Sequence, residues 1–134
     1  VVKDMIDQKS GRLVFTSSTA GQVAEYASSA YNSSKHGLLG LMRSVAQDAG
    51  PYGVTSNAVL PGWVRTQMAE TSAREEAERR GVTPDEVWAE RAALYPAGRV
   101  VTPKEVAEVI AFLASEESSG VSGEAITVAL GSVW

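Results

Sequence analysis

The sequence of 134 residues contains no cysteine and a single histidine, His36. The absence of cysteine excludes disulfides and thiolate-ligated metal sites. His36 has no clustered metal-ligating partners, so we expect no metal site and a structural or solvated role for its ring. No apolar run approaches the roughly 18 residues that suggest a membrane-spanning helix, and we therefore expect no membrane partner.

An excess of positive charge is also missing. The chain has 12 Lys and Arg residues against 16 Asp and Glu residues, with a net charge of −4. The local pair Arg79-Arg80 follows three glutamates, which indicates a solvated helix face rather than a basic stripe for phosphates, so we expect no nucleic-acid partner. The first residues show neither the apolar core nor the cleavage site of a signal peptide, and we expect a cytoplasmic protein.

The residues that are present, 44% hydrophobic and 21% charged, are typical of one globular domain. In the first half we predict a helix over residues 1–9 ended by Gly11 at the C′ position, strands over 12–17 and 54–60, and a long helix over 30–49. The unbroken apolar core of the first strand predicts burial on both faces. Strand, helix and strand together predict a parallel βαβ unit. Gly37 and Gly40 weaken the long helix, and close packing against a neighbour would compensate for that cost.

Three capping boxes follow in the second half, at Ser72–Glu75, Thr83–Glu86 and Thr102–Glu105. Each places a hydroxyl three residues before a glutamate, so we predict helices over 73–80, 84–93 and 103–115. The first two are short and charged, which suits a mobile covering segment. A last strand is predicted over 123–130, followed by a tail that ends at Trp134, where we suggest a subunit contact.

Tyr31 and Lys35 lie four residues apart where the long helix begins, so both should lie on one helix face. A cation beside a phenol favours the phenolate and lowers the pKa of tyrosine, which suits it to move a proton near neutral pH. Ser18 follows the first strand, thirteen residues before Tyr31, and its hydroxyl could hold a substrate oxygen. Ser17 is a rival at the same strand end, and the Tyr31-Lys35 pair alone could be a helix-start tyrosine with a surface lysine.

Five sequence motifs follow one another along the chain, and together they cover essentially all of it. They are the serine strand at residues 11–21, Tyr31-x-x-x-Lys35, the segment Asn57 to Thr66 with Pro61-Gly62, the segments Pro96 to Arg99 and Pro103 to Ser115, and Ser122-Gly123-Glu124 before the last strand. In this order and spacing the chain resembles the carboxyl-terminal half of a short-chain dehydrogenase/reductase.

The resemblance implies an NAD- or NADP-dependent oxidoreductase that interconverts a secondary alcohol and a ketone, for example by 3-oxoacyl or small-ketone reduction. Tyr31 would be the general acid/base, Lys35 would bind the nicotinamide ribose, and Ser18 would orient the reacting oxygen. The cofactor residues would be Tyr31, Lys35, Pro61, Gly62, Val64 and Thr66, and the substrate residues Ser18, Ala20, Tyr31, Trp63 and Met68. Thr66 could instead start a turn. Gln67 and Trp88 could line the substrate pocket, although Trp88 is as suited to anchoring its helix.

The resemblance also implies an α/β fold: a Rossmann-type parallel sheet with flanking helices, truncated to its last three strands. Residues 1–134 would be the catalytic half of one such domain, because no Gly-x-x-x-Gly-x-Gly motif for the pyrophosphate occurs. The first strand would then have an unpaired edge. We expect a homo-oligomer, formed through the helix from Ala30 to Ala49 and the last strand. The alternative is a truncated, non-catalytic fragment that serves only as an association module.

Overall fold

The computed structural model describes residues 1–132, which form a parallel three-stranded sheet with helices on both faces. In chain order the elements are α1 (Val2–Gln8), β1 (Gly11–Thr16), α2 (Ser29–Ala49), β2 (Val54–Pro61), α3 (Gln67–Arg80), α4 (Pro84–Ala93), α5 (Pro103–Ala114) and β3 (Ala125–Val128). Short 3-10 turns occur at Thr19–Gly21, Gly50–Tyr52 and Glu116–Ser118. The predicted α/β class with three parallel strands is confirmed.

The central strand β2 carries the core of the sheet. It pairs with β1 from Gly11↔Val54 to Thr16↔Val59, and with β3 from Ala58↔Ala125 to Pro61↔Val128. Successive side chains point to opposite faces, so Ala58 and Leu60 pack with α2 residues while Val59 packs with α5 residues. Seven of the eight β2 residues are buried, which makes this strand a fixed base for the loop that follows it.

Strand β1 differs from the prediction of burial on both faces. Its first five residues are only partly buried and Thr16 is exposed. Among residues 1–132, β1 lies at the edge of the sheet with β2 as its one neighbour, so its outer side is uncovered. An apolar run indicates that a strand is suited to burial. How far it is buried depends on which strands flank it.

Two helix ends also differ from the prediction. The left-handed residue after α1 is Lys9, with φ 53°, and Gly11 is the first residue of β1 rather than a C′ glycine. Helix α3 begins at Gln67 because the hydroxyl of Thr66 accepts a hydrogen bond from the Ala69 amide at 3.3 Å. The predicted start at residue 73 behind a Ser72 cap is therefore wrong.

The other two capping boxes are confirmed. In α4 and α5 the hydroxyls of Thr83 and Thr102 accept hydrogen bonds from the backbone amides of Glu86 and Glu105, whose carboxylates bond back to the threonine amides. Both helices begin at the proline that the sequence places at the first helical position.

Within residues 1–132 no other element packs closely on Gly37 or Gly40, because a methyl group added at either residue would meet no atom of another element within 4 Å. Both glycines lie on an open face of α2. Strand β3 is shorter than predicted, since Gly123 (φ 82°) and Leu130 (φ 49°) leave the extended conformation. The suggestion for Trp134 falls outside the described residues. Between residues 1 and 132, no helix is long and apolar enough to cross a membrane.

Candidate active site

The carboxyl ends of β1 and β2 open into a cavity of about 870 Å³. This volume lies within the range of small-molecule sites. Nine of the ten predicted site residues line this cavity. They are Ser18, Tyr31, Lys35, Pro61, Gly62, Trp63, Val64, Thr66 and Met68. Residues separated by up to 50 positions in the sequence thus meet in one place, because parallel strands end at the same edge of the sheet.

The two serines after β1 have different roles. Ser17 is buried, and its hydroxyl donates to the carbonyl oxygen of Lys35 at 3.2 Å, which ties β1 to α2. A side chain at Gly21 would clash with both of these groups, so the turn after β1 can pack directly on α2 only with glycine there. Ser18 accepts a hydrogen bond from the Ala20 amide at 3.2 Å, which leaves its hydroxyl proton able to donate into the cavity.

Tyr31 and Lys35 lie on one face of α2, as the spacing predicts. The Lys35 ammonium is 5.5 Å from the centroid of the Tyr31 ring, within cation–π range, and it donates to the carbonyl oxygen of Thr16 at 3.1 Å. Tyr31 is 44% exposed, and its hydroxyl has no hydrogen-bond partner within residues 1–132. The phenol can therefore reach a molecule in the cavity, while Lys35 stays fixed to the end of β1.

The loop that follows β2, residues 62–66, is held by backbone hydrogen bonds. The Gly62 amide donates to the Val128 carbonyl at 3.1 Å, the Trp63 carbonyl accepts from the Val101 amide at 3.0 Å, and the Thr66 amide donates to the Val64 carbonyl at 2.9 Å. The hydroxyl of Thr66 caps α3, so Thr66 starts a helix where the alternative interpretation had it start a turn. A contact between Thr66 and a cofactor stays a prediction.

Helix α3 and the two residues that follow α4 form the wall on the side of Trp63, through Met68, Ala69, Ser72, Leu94 and Tyr95. Trp88 is buried in a cluster with Ala69, Ala73, Ala77 and Val87, and its indole nitrogen donates to Glu70 at 2.9 Å. It does not line the cavity, so the anchoring alternative for Trp88 is correct. Gln67 is exposed and does not line the cavity either. Met68 lines the cavity and is 77% exposed.

Ala20 is the one predicted site residue that the structure does not bring to the cavity. Its side chain is fully buried, and the residue is not part of the lining. Its amide bonds to the Ser18 hydroxyl, so in this structure Ala20 helps to hold Ser18 rather than presenting its own side chain.

Two residues that the sequence reasoning missed act on Trp63. The Tyr95 hydroxyl accepts a hydrogen bond from the Trp63 amide at 2.6 Å. The Arg91 guanidinium lies 3.7 Å from the centroid of a Trp63 ring and 4.9 Å from that of a Trp88 ring. Neither contact has a signature in sequence spacing, because both residues are nearly 30 positions or more from Trp63.

Comparison with known proteins places this geometry in a family. Residues 1–132 match the family model described as enoyl-(acyl carrier protein) reductase. The oxidoreductase UcpA of Salmonella typhimurium is 42% identical over 124 residues, which cover 92% of this chain and 46% of that protein. The chain belongs to the short-chain dehydrogenase/reductase family. It spans about half the length of the curated relatives that it matches.

Solved structures of short-chain dehydrogenase/reductase enzymes superpose closely on this chain. A variant of actinorhodin polyketide ketoreductase with NADPH has a TM-score of 0.89 at 34% identity, covering 95% of this chain and 49% of that one. NAD⁺-bound xylitol dehydrogenase has a TM-score of 0.89 at 31% identity, covering 98% of this chain and 52% of that one. These two neighbours contain the two alternative nicotinamide dinucleotides.

The chemistry of the donors in the cavity is compatible with the hydroxyls and amide of a nicotinamide nucleoside. The Lys35 ammonium has three protons and bonds to one carbonyl, and the Tyr31 hydroxyl is unbonded within residues 1–132, so both have donors free for a polar ligand in the cavity. Among the residues described, Lys35 is the one basic side chain in the lining, so the cavity offers little for a pyrophosphate. Residues 1–132 place no three His, Asp or Glu side chains together as a metal site.

Proposed function

We propose that this chain is the catalytic half of an NAD(P)-dependent oxidoreductase that interconverts a secondary alcohol and a ketone. The observation that carries the proposal is the convergence of Ser18, Tyr31 and Lys35 on one cavity, together with the loop after β2. Hydroxyl, phenol and ammonium groups at one strand edge suit the handling of a carbonyl oxygen. The matched relatives show the family of the chain, and we propose the role of each of these residues from that family.

The proposed chemistry assigns one task to each side chain. When bound, the nicotinamide would supply or accept the hydride at the carbonyl carbon. The free proton of Ser18 would bond to the substrate oxygen and fix its direction. Tyr31 would give its proton to that oxygen during reduction and take it back during oxidation. Lys35 would hold the ribose and, from one helical turn away, stabilise the phenolate that forms when the Tyr31 proton leaves.

The loop after β2 would bind the carboxamide of the nicotinamide. We assign this role to the backbone of Val64 and the hydroxyl of Thr66, with Pro61 and Gly62 shaping the turn. The fixed backbone of this loop, bonded to both β3 and residue 101, supports the assignment. We assign either NAD or NADP, since these residues contact the part that the two dinucleotides share.

The substrate would be an uncharged ketone or alcohol with an apolar body. Apart from the catalytic groups, the wall is largely apolar and includes Trp63, Met68, Leu94, Val106 and Ile110. Glu25 and Lys35 are the charged side chains in the described lining, and Lys35 is assigned to the cofactor. The 3-oxoacyl and small-ketone classes fit such a wall.

We further propose that the chain associates with a second copy through α2. Leu41 on this helix is 52% exposed, and Gly37 and Gly40 leave the neighbouring surface open for the approach of another helix. Exposed leucine beside glycine on a helix favours helix–helix contact, because it offers apolar area without bulk.

The test of the proposed function compares Tyr31→Phe with the matched control Tyr52→Phe. Tyr52 lies just before β2, at the opposite end of that strand from the cavity, and is 46% exposed. Oxidation of NADH and NADPH is followed with a panel of neutral ketones. The chain is assayed alone and fused behind the amino-terminal half of the Salmonella relative, which supplies a dinucleotide site.

We expect ketone-dependent oxidation by the fusion, a loss of at least about 100-fold in kcat for Tyr31→Phe, and little change for Tyr52→Phe. The affinity of the Tyr31→Phe variant for the dinucleotide should stay close to that of the unchanged protein. Turnover by the Tyr31→Phe variant near the original rate would refute the acid/base role of Tyr31.

A further inference from the structure

Tyr95 follows α4 and lies directly over the loop after β2. The residue is 4% exposed, and a methyl group added at Gly62 would overlap its ring and hydroxyl. Its phenol oxygen accepts the Trp63 amide proton at 2.6 Å. The contact joins a chain segment next to α4 to the loop that contains Val64 and Thr66.

This hydrogen bond completes the fixation of Trp63. The carbonyl oxygen of Trp63 is already bonded to the Val101 amide on the other side, and Val64 forms a parallel bridge with Val101. Without the Tyr95 hydroxyl, the Trp63 amide would lose the one partner that the described residues give it. A partly buried amide without a partner is costly, so the loop would move to find another.

Burial adds to the suitability of Tyr95 for this role. Desolvation raises the pKa of the Tyr95 phenol, with a further rise from the nearby Glu25 carboxylate, and these outweigh the lowering by the Trp63 amide. The phenol therefore keeps its proton at neutral pH and accepts the Trp63 proton as a neutral oxygen.

We propose that Tyr95 is a positioning residue that holds the backbone of the loop after β2 in the conformation required to bind nicotinamide. The inference rests on the proposed function, in which the backbone of Val64 binds the carboxamide. Tyr95 acts through Trp63 and Gly62. Its hydroxyl, rather than its ring, supplies the specific contact, since the ring alone can fill the space over Gly62.

The first test measures hydrogen exchange of the Trp63 amide by NMR in the unchanged chain, in Tyr95→Phe and in the control Tyr52→Phe. Tyr95→Phe keeps the ring and removes only the hydroxyl. We expect the Trp63 amide to exchange about three- to tenfold faster in Tyr95→Phe, with the amides of β2 unchanged. Equal protection of Trp63 in both variants would overturn the proposal.

The second test titrates nicotinamide mononucleotide and AMP into the same three proteins, each fused behind the amino-terminal half of the Salmonella relative, which supplies the site for AMP. We expect Tyr95→Phe to weaken binding of the nicotinamide compound about three- to tenfold, while Tyr52→Phe does not. A merely destabilised protein would not lose nicotinamide binding selectively, so the melting temperature and AMP binding are recorded alongside. Unaltered nicotinamide affinity in Tyr95→Phe refutes the positioning role.

The two tests separate failure of the inference from failure of the proposed function. If the unchanged fusion binds AMP but no nicotinamide mononucleotide, the proposed cofactor site in this chain is wrong. The exchange rate of the Trp63 amide then decides whether Tyr95 fixes the loop, since that measurement needs no ligand.

Discussion

Replacing Glu76 with glutamine should destabilise the chain by about 2 kcal/mol, because Glu76 neutralises a buried cation. Its partner Arg91 has a side chain only 6% exposed, and their charged groups are 2.9 Å apart. The other Arg91 hydrogen bonds, to the Ala69 carbonyl and the Ser72 hydroxyl, are at 3.4 Å, near the limit for such bonds. Glutamine would keep one acceptor and remove the charge.

The magnitude follows from the strength of the bonds involved. A hydrogen bond between charged groups contributes about 1.5–3 kcal/mol, and Glu76→Gln loses one such bond, because glutamine has a single acceptor oxygen and its amide nitrogen cannot accept from a guanidinium. Glu76 makes two such bonds, to Arg91 through Oε2 at 2.9 Å and to Arg80 through Oε1 at 2.8 Å, and glutamine can keep only one of them. For a domain of this size, a loss of about 2 kcal/mol lowers the melting temperature by roughly 7 °C.

Urea unfolding of Glu76→Gln, followed by tryptophan fluorescence, measures this loss. The control is Glu90→Gln, which removes the other carboxylate on Arg80 but is 56% exposed and does not bond to Arg91. We expect a much smaller change for the control, as is typical of exposed ion pairs. If both variants are destabilised equally, or Glu76→Gln is unaffected, the assignment of Glu76 as the partner of a buried cation is wrong.

Two further predictions concern other parts of the chain. Leu41→Glu should shift a self-associating chain to the monomer in analytical ultracentrifugation, because it places charge on the open face of α2; an unchanged molar mass would exclude that face as the contact. Arg99 and the cap at Thr102 lower the pKa of Glu105 to about 2, from 4.5, so the unfolded state binds more protons between these values. Stability should therefore fall as pH drops from about 4.5 towards 2, and Glu105→Gln should flatten that dependence; an equal slope in both proteins contradicts it.

The sequence predicted best the features that depend on neighbouring residues. The caps at Thr83 and Thr102 are local, because each threonine bonds to a glutamate three positions later. The start of α3 was missed because Thr66 and Ser72 can each cap a helix. The earlier start at Thr66 buries Ala69 and Ala73 in the cluster with α4, which no local pattern shows.

The residues of the candidate site that belong to a sequence motif could be predicted. Ser18, Tyr31 and Lys35 have a fixed spacing, and all three line the cavity. Tyr95 and Arg91 were not predictable, because their contacts with Trp63 arise only when α4 folds back over the loop after β2. The burial of β1 also lay beyond the sequence, since it depends on what flanks the strand.

Helices α3 and α4 share a small apolar cluster of their own, formed by three alanines of α3 with Val87 and Trp88, distinct from the two clusters that pack on the sheet. Helix α3, which lines the cavity through Met68, Ala69 and Ser72, is thus packed mainly against α4 rather than against the sheet. Under the proposed function, we expect that exposed lining residues such as Met68 can be changed while Tyr31 and Lys35 stay in place on α2. Substitutions on this wall should then alter which ketones are accepted, while the acid/base role proposed for Tyr31 is kept.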